Sequence, residues 1–114
     1  MTHNVLFVCG KNRLRSPTAE QVFADWPGVE TASAGTGHDA DRPVSAELIA
    51  WADTVLVMEP AHRTKIAAKF QSELRGKRMA VLGIPDKFEF MAPELIRLLR
   101  QKVPRYLPGP NGAT

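Results

Sequence analysis

A hydrophobic strand, a polar loop and the start of a helix follow one another in VLFVCGKNRLRSPTAE, the sequence of residues 5–20. Residues 5–8 are all apolar and two of them are β-branched, which is typical of a short strand buried on both faces. Ser16 is a preferred residue before a helix, and Pro17 suits the first helical position because its missing N–H would have no partner there. The pattern therefore predicts a strand, a loop and a helix that begins at Pro17.

The loop places one thiol and one guanidinium in front of that helix. Cys9 begins the loop, and Arg15 follows six positions later. Free backbone N–H groups and the positive end of the helix dipole attract anions, and the same surroundings favour the thiolate, which is the nucleophilic form of cysteine. The planar guanidinium donates to two phosphate oxygens at once. The competing interpretation is a buried structural cysteine, which is common for a free thiol. We expect seven residues to bind a phosphate over the sulfur: Gly10, Lys11, Asn12, Arg13, Leu14, Arg15 and Ser16.

Strands and helices alternate along the rest of the chain. Such alternation favours a parallel sheet with right-handed crossovers. At 114 residues the chain has room for one domain, which we place at residues 1–105, followed by a disordered tail at 106–114. The apolar periodicity predicts helices at 17–25, 45–52, 60–70 and 91–103, strands at 29–34, 54–58 and 79–83, and a polar turn at 71–77.

Composition and charge exclude several classes of protein. The longest apolar runs are about five residues, against about twenty for a membrane-spanning helix, and the first residues lack the basic flank of a signal peptide. A single cysteine excludes an internal disulfide and fits a reducing compartment. The net charge of +3 comes without aromatic side chains interleaved among the basic residues, which disfavours nucleic acid as a partner. We expect a cytoplasmic protein with neither a membrane nor a nucleic-acid partner.

The motif Cys9-x-x-Asn12-x-x-Arg15-Ser16 after a hydrophobic strand resembles the active-site loop of the low-molecular-weight protein tyrosine phosphatases, in particular a short bacterial form. A looser resemblance covers most of the remaining chain in the expected order. It implies an α/β fold with a four-stranded parallel sheet in a three-layer α/β/α arrangement. It also implies hydrolysis of a phosphotyrosine-type monoester through a phosphocysteine on Cys9. In the family, a serine matching Ser33 hydrogen-bonds the asparagine matching Asn12, and one matching Ser16 hydrogen-bonds the cysteine.

A general acid is needed to protonate the oxygen that leaves phosphorus. Asp86 follows the last predicted strand, at the same edge of the sheet as Cys9, and we expect it to be this acid. In the family, the acid belongs to an Asp-Pro-aromatic-aromatic loop, whereas here proline precedes aspartate, and Phe88 and Phe90 follow. We expect Phe88 and Phe90 to wall a slot for the phenyl ring of the substrate, with a place in the hydrophobic core as the alternative for one of them. Three other carboxylates are alternatives for the acid: Glu89, Asp39 and Asp41.

Three other functions would use part of the same machinery. Arsenate reductases share this fold and loop, and a chain with one cysteine would need an external thiol for that reaction. A phosphocysteine carrier would need neither Arg15 nor Asp86. A non-catalytic module that binds phosphorylated ligands is the third alternative.

The expected substrate is a phosphorylated protein or a small aryl phosphate, with inorganic phosphate as the product. Arginine phosphate is disfavoured, because Arg13 occupies the loop position that is threonine in relatives with that specificity. We expect no metal and no cofactor, since the guanidinium and the amides supply the positive charge. His38 and His62 are expected at the surface without a catalytic role.

Overall fold

A computed structural model of the chain describes residues 2–108. All neighbouring strands pair in parallel, in the order β2-β1-β3-β4, which confirms the predicted sheet. The strands are β1 (His3–Cys9), β2 (Val29–Gly35), β3 (Thr54–Val57) and β4 (Arg78–Val81). The helices are α1 (Arg15–Val22), α2 (Ala46–Trp51), α3 (Pro60–Lys69), α4 (Gln71–Leu74) and α5 (Pro93–Lys102), followed by a 3-10 turn at Pro104–Tyr106.

The central strand β1 divides the core into two apolar clusters. Its side chains alternate between the two faces of the sheet, so that Phe7 packs with residues of α1 and α5, while Leu6 packs with residues of α2 and α3. Both faces of β1 are therefore covered, which is why its sequence is apolar at consecutive positions. The predicted three-layer α/β/α arrangement is confirmed. No helix within residues 2–108 is long and apolar enough to cross a membrane.

The carboxyl ends of the four strands meet at one edge of the sheet, which is where ligands bind in open parallel sheets. Gly35 ends β2 at this edge in a crowded position. A Cβ there would lie 2.5 Å from the carbonyl oxygen of Gly10 and 2.6 Å from the Cβ of Ala40. The absence of a side chain at Gly35 thus lets the loop after β1 and the loop after β2 pack against each other.

Most element boundaries differ from the predictions by one to three residues, and α1 ends at Val22 rather than at residue 25. Helix α1 begins at Arg15 rather than Pro17, because the hydroxyl of Ser16 bonds within the loop instead of capping the helix. The predicted polar turn at 71–77 contains the short helix α4. The chain continues in contact with the core beyond residue 105, since the indole N–H of Trp26 donates to the carbonyl of Pro108. The remainder of the expected tail, residues 109–114, lies outside the described residues.

Candidate active site

The backbone of residues 9–15, here called the phosphate loop, is held from one side by the loop after β2. The N–H groups of Thr36, Gly37 and Asp41 donate to the carbonyls of residues 9, 10 and 11, at 2.9, 2.9 and 3.0 Å. In a planar trans peptide the N–H points opposite to the C=O. The N–H groups of residues 10–12 therefore face away from the loop after β2, in the direction where an anion can accept from them.

Cys9 ends β1 and is 3% exposed. Its Sγ lies 2.9 Å from the Oγ of Ser16. That hydroxyl also accepts a hydrogen bond of 3.0 Å from the Nδ2 of Asn12, and its own proton has two acceptors within reach, the sulfur at 2.9 Å and the carbonyl oxygen of Ala34 at 3.4 Å, of which the sulfur is the nearer. Ser16 thus has the contact with Cys9 that the family resemblance implies.

Asn12 adopts a left-handed backbone conformation, with a φ of 58°. Asparagine tolerates this conformation better than most residues, and it lets the loop turn sharply around its centre. The expected hydrogen bond between Asn12 and Ser33 is wrong. Ser33 Oγ instead donates to Oε1 of Glu20 on α1, while the amide of Asn12 donates to Ser16. Ser33 therefore ties β2 to α1 and not to the phosphate loop.

Arg15 is 4% exposed, and its guanidinium is held at one nitrogen. Nη1 donates to Oε1 of Glu59 at 2.7 Å and to the carbonyl of Ile84 at 2.8 Å, which uses both of its hydrogens. Nε lies 3.7 Å from Oδ1 of Asp86. The side of the guanidinium formed by Nε and Nη2 is therefore left for the cavity, and this side fits two oxygens of an oxyanion.

Glu59, which the sequence analysis did not single out, and His62 are neighbours of Arg15. Glu59 precedes α3, and its backbone N–H donates to Nδ1 of His62 at 3.1 Å. The hydrogen bond from Arg15 lowers the pKa of Glu59. His62 is 7% exposed, which makes its expected surface position wrong. Its burial, and then the positive charge of Arg15, lower its pKa below the ordinary value of 6.5.

A signal for this pair is present in the sequence. His62 follows Glu59 by three positions, and Pro60, the first residue of a predicted helix, lies between them. This is the spacing at which a residue before a helix and a residue in its first turn bond each other's backbone. The histidine is drawn inward by that bond, which apolar periodicity alone does not reveal.

A cavity of about 270 Å³ opens above the phosphate loop. Asp86 reaches it from the loop of residues 84–90, here called the acid loop, and its side chain is 66% exposed. Two of the seven residues predicted to bind phosphate, Asn12 and Ser16, do not line the cavity but support it from behind. The lining consists of Cys9, Gly10, Lys11, Arg13, Leu14, Arg15 and Asp86. Within residues 2–108 no group of three or more histidine, cysteine or acidic side chains is arranged to hold a metal.

The expected aromatic slot is wrong. Phe88 is 9% exposed and packs in the core, where its ring covers apolar residues of α5. Phe90 is 47% exposed and lines a different hollow, beside Pro17 and Gln21 of α1. Neither ring lines the cavity above Cys9, whose walls come from Leu14 and from polar side chains.

The other carboxylates considered for the acid lie apart from the reacting centre. Asp39 pairs with Lys11, and this hydrogen bond lowers its pKa. Asp41 accepts from Nε of Arg13 at 3.1 Å. Both pairs are exposed and join the rim of the phosphate loop to the loop after β2. Glu89 is exposed and does not line the cavity.

Solved structures of bacterial phosphatases share this fold. The chain is similar to the tyrosine phosphatase Wzb from Escherichia coli K30 in complex with phosphate, with 26% identity over 93% of this chain and 96% of that chain and a TM-score of 0.72. It is similar to the YwlE arginine phosphatase from Geobacillus stearothermophilus, with 26% identity over 87% and 84% of the two chains and a TM-score of 0.64.

A third similar structure is a cysteine-to-serine mutant of the YwlE arginine phosphatase with a phosphorylated active site serine. Its identity is 25% over 86% of this chain and 91% of that chain, and its TM-score is 0.67. No protein-family model and no curated protein matches the chain. The similar structures confirm the expected fold and the resemblance drawn from the motif around Cys9.

Proposed function

We propose that this chain, which has the fold of the low-molecular-weight protein tyrosine phosphatases, is a cysteine phosphatase that hydrolyses phosphate monoesters of the phosphotyrosine type. One observation carries the proposal: a buried cysteine, a buried arginine and an exposed aspartate converge on one cavity of about 270 Å³. A nucleophile, an oxyanion-binding group and a proton donor are what transfer of a phosphoryl group to sulfur requires.

The first step transfers the phosphoryl group to the enzyme. The thiolate of Cys9 attacks phosphorus, and an S–P bond forms as the P–O bond to the leaving group breaks. The N–H groups of the phosphate loop and the Nε–Nη2 side of Arg15 hold the three other oxygens, whose negative charge persists in the transition state. Asp86 gives its proton to the leaving oxygen, so that an alcohol or a phenol departs.

The second step returns the free enzyme. The carboxylate of Asp86 takes a proton from a water molecule, whose oxygen attacks phosphorus. The S–P bond breaks, and inorganic phosphate and the thiolate of Cys9 are released. The hydroxyl of Ser16 donates to the departing sulfur, at the distance of 2.9 Å that separates the two atoms in the structure. A reducing compartment such as the cytoplasm suits this cycle, because the thiolate must stay unoxidised.

The choice of substrate follows from the leaving group rather than from an aromatic wall. Phenols leave phosphorus more easily than aliphatic alcohols, and the open mouth of the cavity admits both. Aryl phosphates and phosphotyrosine peptides are therefore the expected best substrates. Arginine phosphate, the substrate class named for YwlE, is disfavoured because the leaving guanidine would pass the like charge of Arg13 on the cavity wall.

The test is a substrate panel with a trapping experiment. We expect the purified chain to hydrolyse an aryl phosphate and a phosphotyrosine peptide faster than phosphoserine or phosphoarginine peptides. Acid quenching during turnover should leave one phosphoryl group on Cys9, detected by mass spectrometry, and Cys9→Ser should not turn over.

Each alternative function has its own outcome in the same panel. Arsenate-dependent oxidation of an added thiol without phosphatase activity would indicate a reductase. A stable phosphocysteine that water does not hydrolyse, but that a second protein discharges, would indicate a carrier. Phosphate binding without either reaction would indicate a non-catalytic module.

A further inference from the structure

We infer that Glu59 is a positioning residue for the proposed phosphatase reaction: it holds Nη1 of Arg15 so that the opposite side of the guanidinium faces the oxyanion. The inference rests on the proposed function, because it assigns a role in that reaction to a residue outside the cavity lining. Glu59 lies on the far side of Arg15 from the cavity, and it acts on the substrate only through the guanidinium.

The hydrogen bonds of Arg15 are concentrated on one side of the guanidinium. Both contacts of Nη1 are short, 2.7 Å to the Glu59 carboxylate and 2.8 Å to the Ile84 carbonyl. These two acceptors fix the plane of the guanidinium as well as its position, because a planar group held at two points on one nitrogen cannot rotate about Nε. The remaining side can then meet two oxygens without first losing side-chain freedom.

Glu59 itself is also fixed in position. It precedes Pro60 at the start of α3, and its backbone N–H is bonded to the buried ring of His62. Since Nδ1 of His62 accepts this bond, the proton of the neutral ring lies on Nε2. Nε2 of His62 lies beside the phosphate loop, since a methyl group added to Gly10 would be 3.8 Å from this nitrogen. The support thus runs from α3 through Glu59 to Arg15, with His62 filling the space behind Gly10.

The negative charge of Glu59 acts on both Arg15 and a bound phosphate. A buried guanidinium without a partner is costly, and a carboxylate on its far side compensates this cost while the cavity holds no substrate. That carboxylate also opposes the negative charge of a bound phosphate, so Glu59 does not serve to tighten ground-state binding. Its advantage lies in orientation, and the expected signature is therefore a change in kcat with little change in KM.

The experiment compares Glu59→Ala and Glu59→Gln with the unchanged chain, using an aryl phosphate. A misplaced catalytic group costs up to about 100-fold in rate, so we expect Glu59→Ala to lower kcat by about 10- to 100-fold, with KM changed less than about threefold. Glu59→Gln keeps an oxygen that accepts from Nη1 and should recover most of the loss. Glu94→Ala is the matched control. Glu94 lies in the first turn of α5, so this substitution removes a similar charge from the start of a helix without touching Arg15.

A second background separates positioning from general damage. In Arg15→Lys the Nη1 contact does not exist, so adding Glu59→Ala should lower kcat no further. Equal losses in both backgrounds, or a Glu59→Ala variant with unchanged kcat, would overturn the inference. Absence of activity in the unchanged chain would instead contradict the proposed function. Circular dichroism and inorganic phosphate binding, followed for each variant, keep loss of folding distinct from loss of orientation.

Discussion

The phosphate loop and the acid loop meet in one cavity but are built in opposite ways. Three carbonyls of the phosphate loop are bonded by the neighbouring loop, and Cys9 and Arg15 are 3% and 4% exposed. In the acid loop, Ile84 is anchored to the carbonyl of Met58 and to Arg15, whereas the side chain of Asp86 is 66% exposed. The groups that we propose hold an oxyanion are buried, and the group that we propose as the proton donor is exposed.

The strongest test of this contrast is Arg15→Lys, on the buried side of the cavity. Lysine keeps the positive charge but not the planar fork, and an ammonium bonded to Glu59 and Ile84 has one N–H left for an oxyanion, where the guanidinium has the Nε–Nη2 pair. We expect kcat/KM for an aryl phosphate to fall by about 100- to 1,000-fold, as for the loss of one oxyanion donor. Steady-state kinetics at saturating and limiting substrate give the result. An active Arg15→Lys variant would mean that charge alone, rather than fixed geometry, serves the phosphate loop.

The matching test on the exposed side is Asp86→Asn. We expect a loss of about 100-fold for substrates with poor leaving groups, because general acid catalysis contributes about that much or more. The loss should shrink for good leaving groups, which need no proton. A plot of log kcat/KM against the pKa of the leaving alcohol should be steeper for Asp86→Asn. Glu89→Gln is the control in the same loop, and the acid would be reassigned if that variant gave the steeper plot.

The packing behind the two loops is tested by Gly35→Ala. The added methyl group would lie 2.5 Å from a backbone oxygen of the phosphate loop, so the backbone must shift. We expect the free energy of unfolding to fall by about 1–3 kcal/mol, as for other overpacked positions, with a larger loss of activity than of folding. Urea denaturation measures the change in the free energy of unfolding. Gly10→Ala is the matched control for stability, because its methyl group meets only the ring of His62, at 3.8 Å.

The smallest expected effect is a dependence of folding stability on pH, caused by His62 behind the phosphate loop. His62 has a lowered pKa in the folded chain because it is buried beside Arg15, with Glu59, Lys65 and Asp86 as further nearby charges. The unfolded chain therefore binds the additional proton first as the pH falls through the ordinary value of 6.5, and stability decreases below that pH.

Thermal denaturation between pH 7.5 and pH 5.5 should show this decrease, and His62→Asn should flatten it. The asparagine side chain offers an oxygen to the N–H of Glu59 but does not titrate in this range. His38→Asn, in the exposed loop after β2, is the control and should leave the slope unchanged. A slope that survives His62→Asn would locate the titration elsewhere.

The parts of the molecule that could be predicted are those whose cause is local in sequence. The run at residues 5–8 is apolar because both faces of β1 are covered, and Cys9, Asn12 and Arg15 lie within one short loop. Their approximate arrangement follows from a strand end, a left-handed residue and a helix start. For the same reason the parallel sheet and its three layers could be inferred from the alternation of elements.

The parts that could not be predicted depend on contacts between distant segments. Phe88 was expected in the cavity but packs against α5, and nothing in the sequence of the acid loop indicates which of these two places its ring takes. Ser33 was expected to bond Asn12, and its actual bond to Glu20 depends on how α1 packs on β2. Glu59 reaches Arg15 across 44 positions of sequence. Side-chain partners at such separations are set by packing, which hydrophobic periodicity does not specify.

The burial of Cys9 at the base of the cavity has a practical consequence, because it is the only cysteine in the chain. An alkylating reagent can react with a thiol at one place only, so the mass of the intact protein reports the fraction of centres that have been labelled. Protection from iodoacetamide by added phosphate would give the dissociation constant of that anion directly, without a substrate and without an engineered probe.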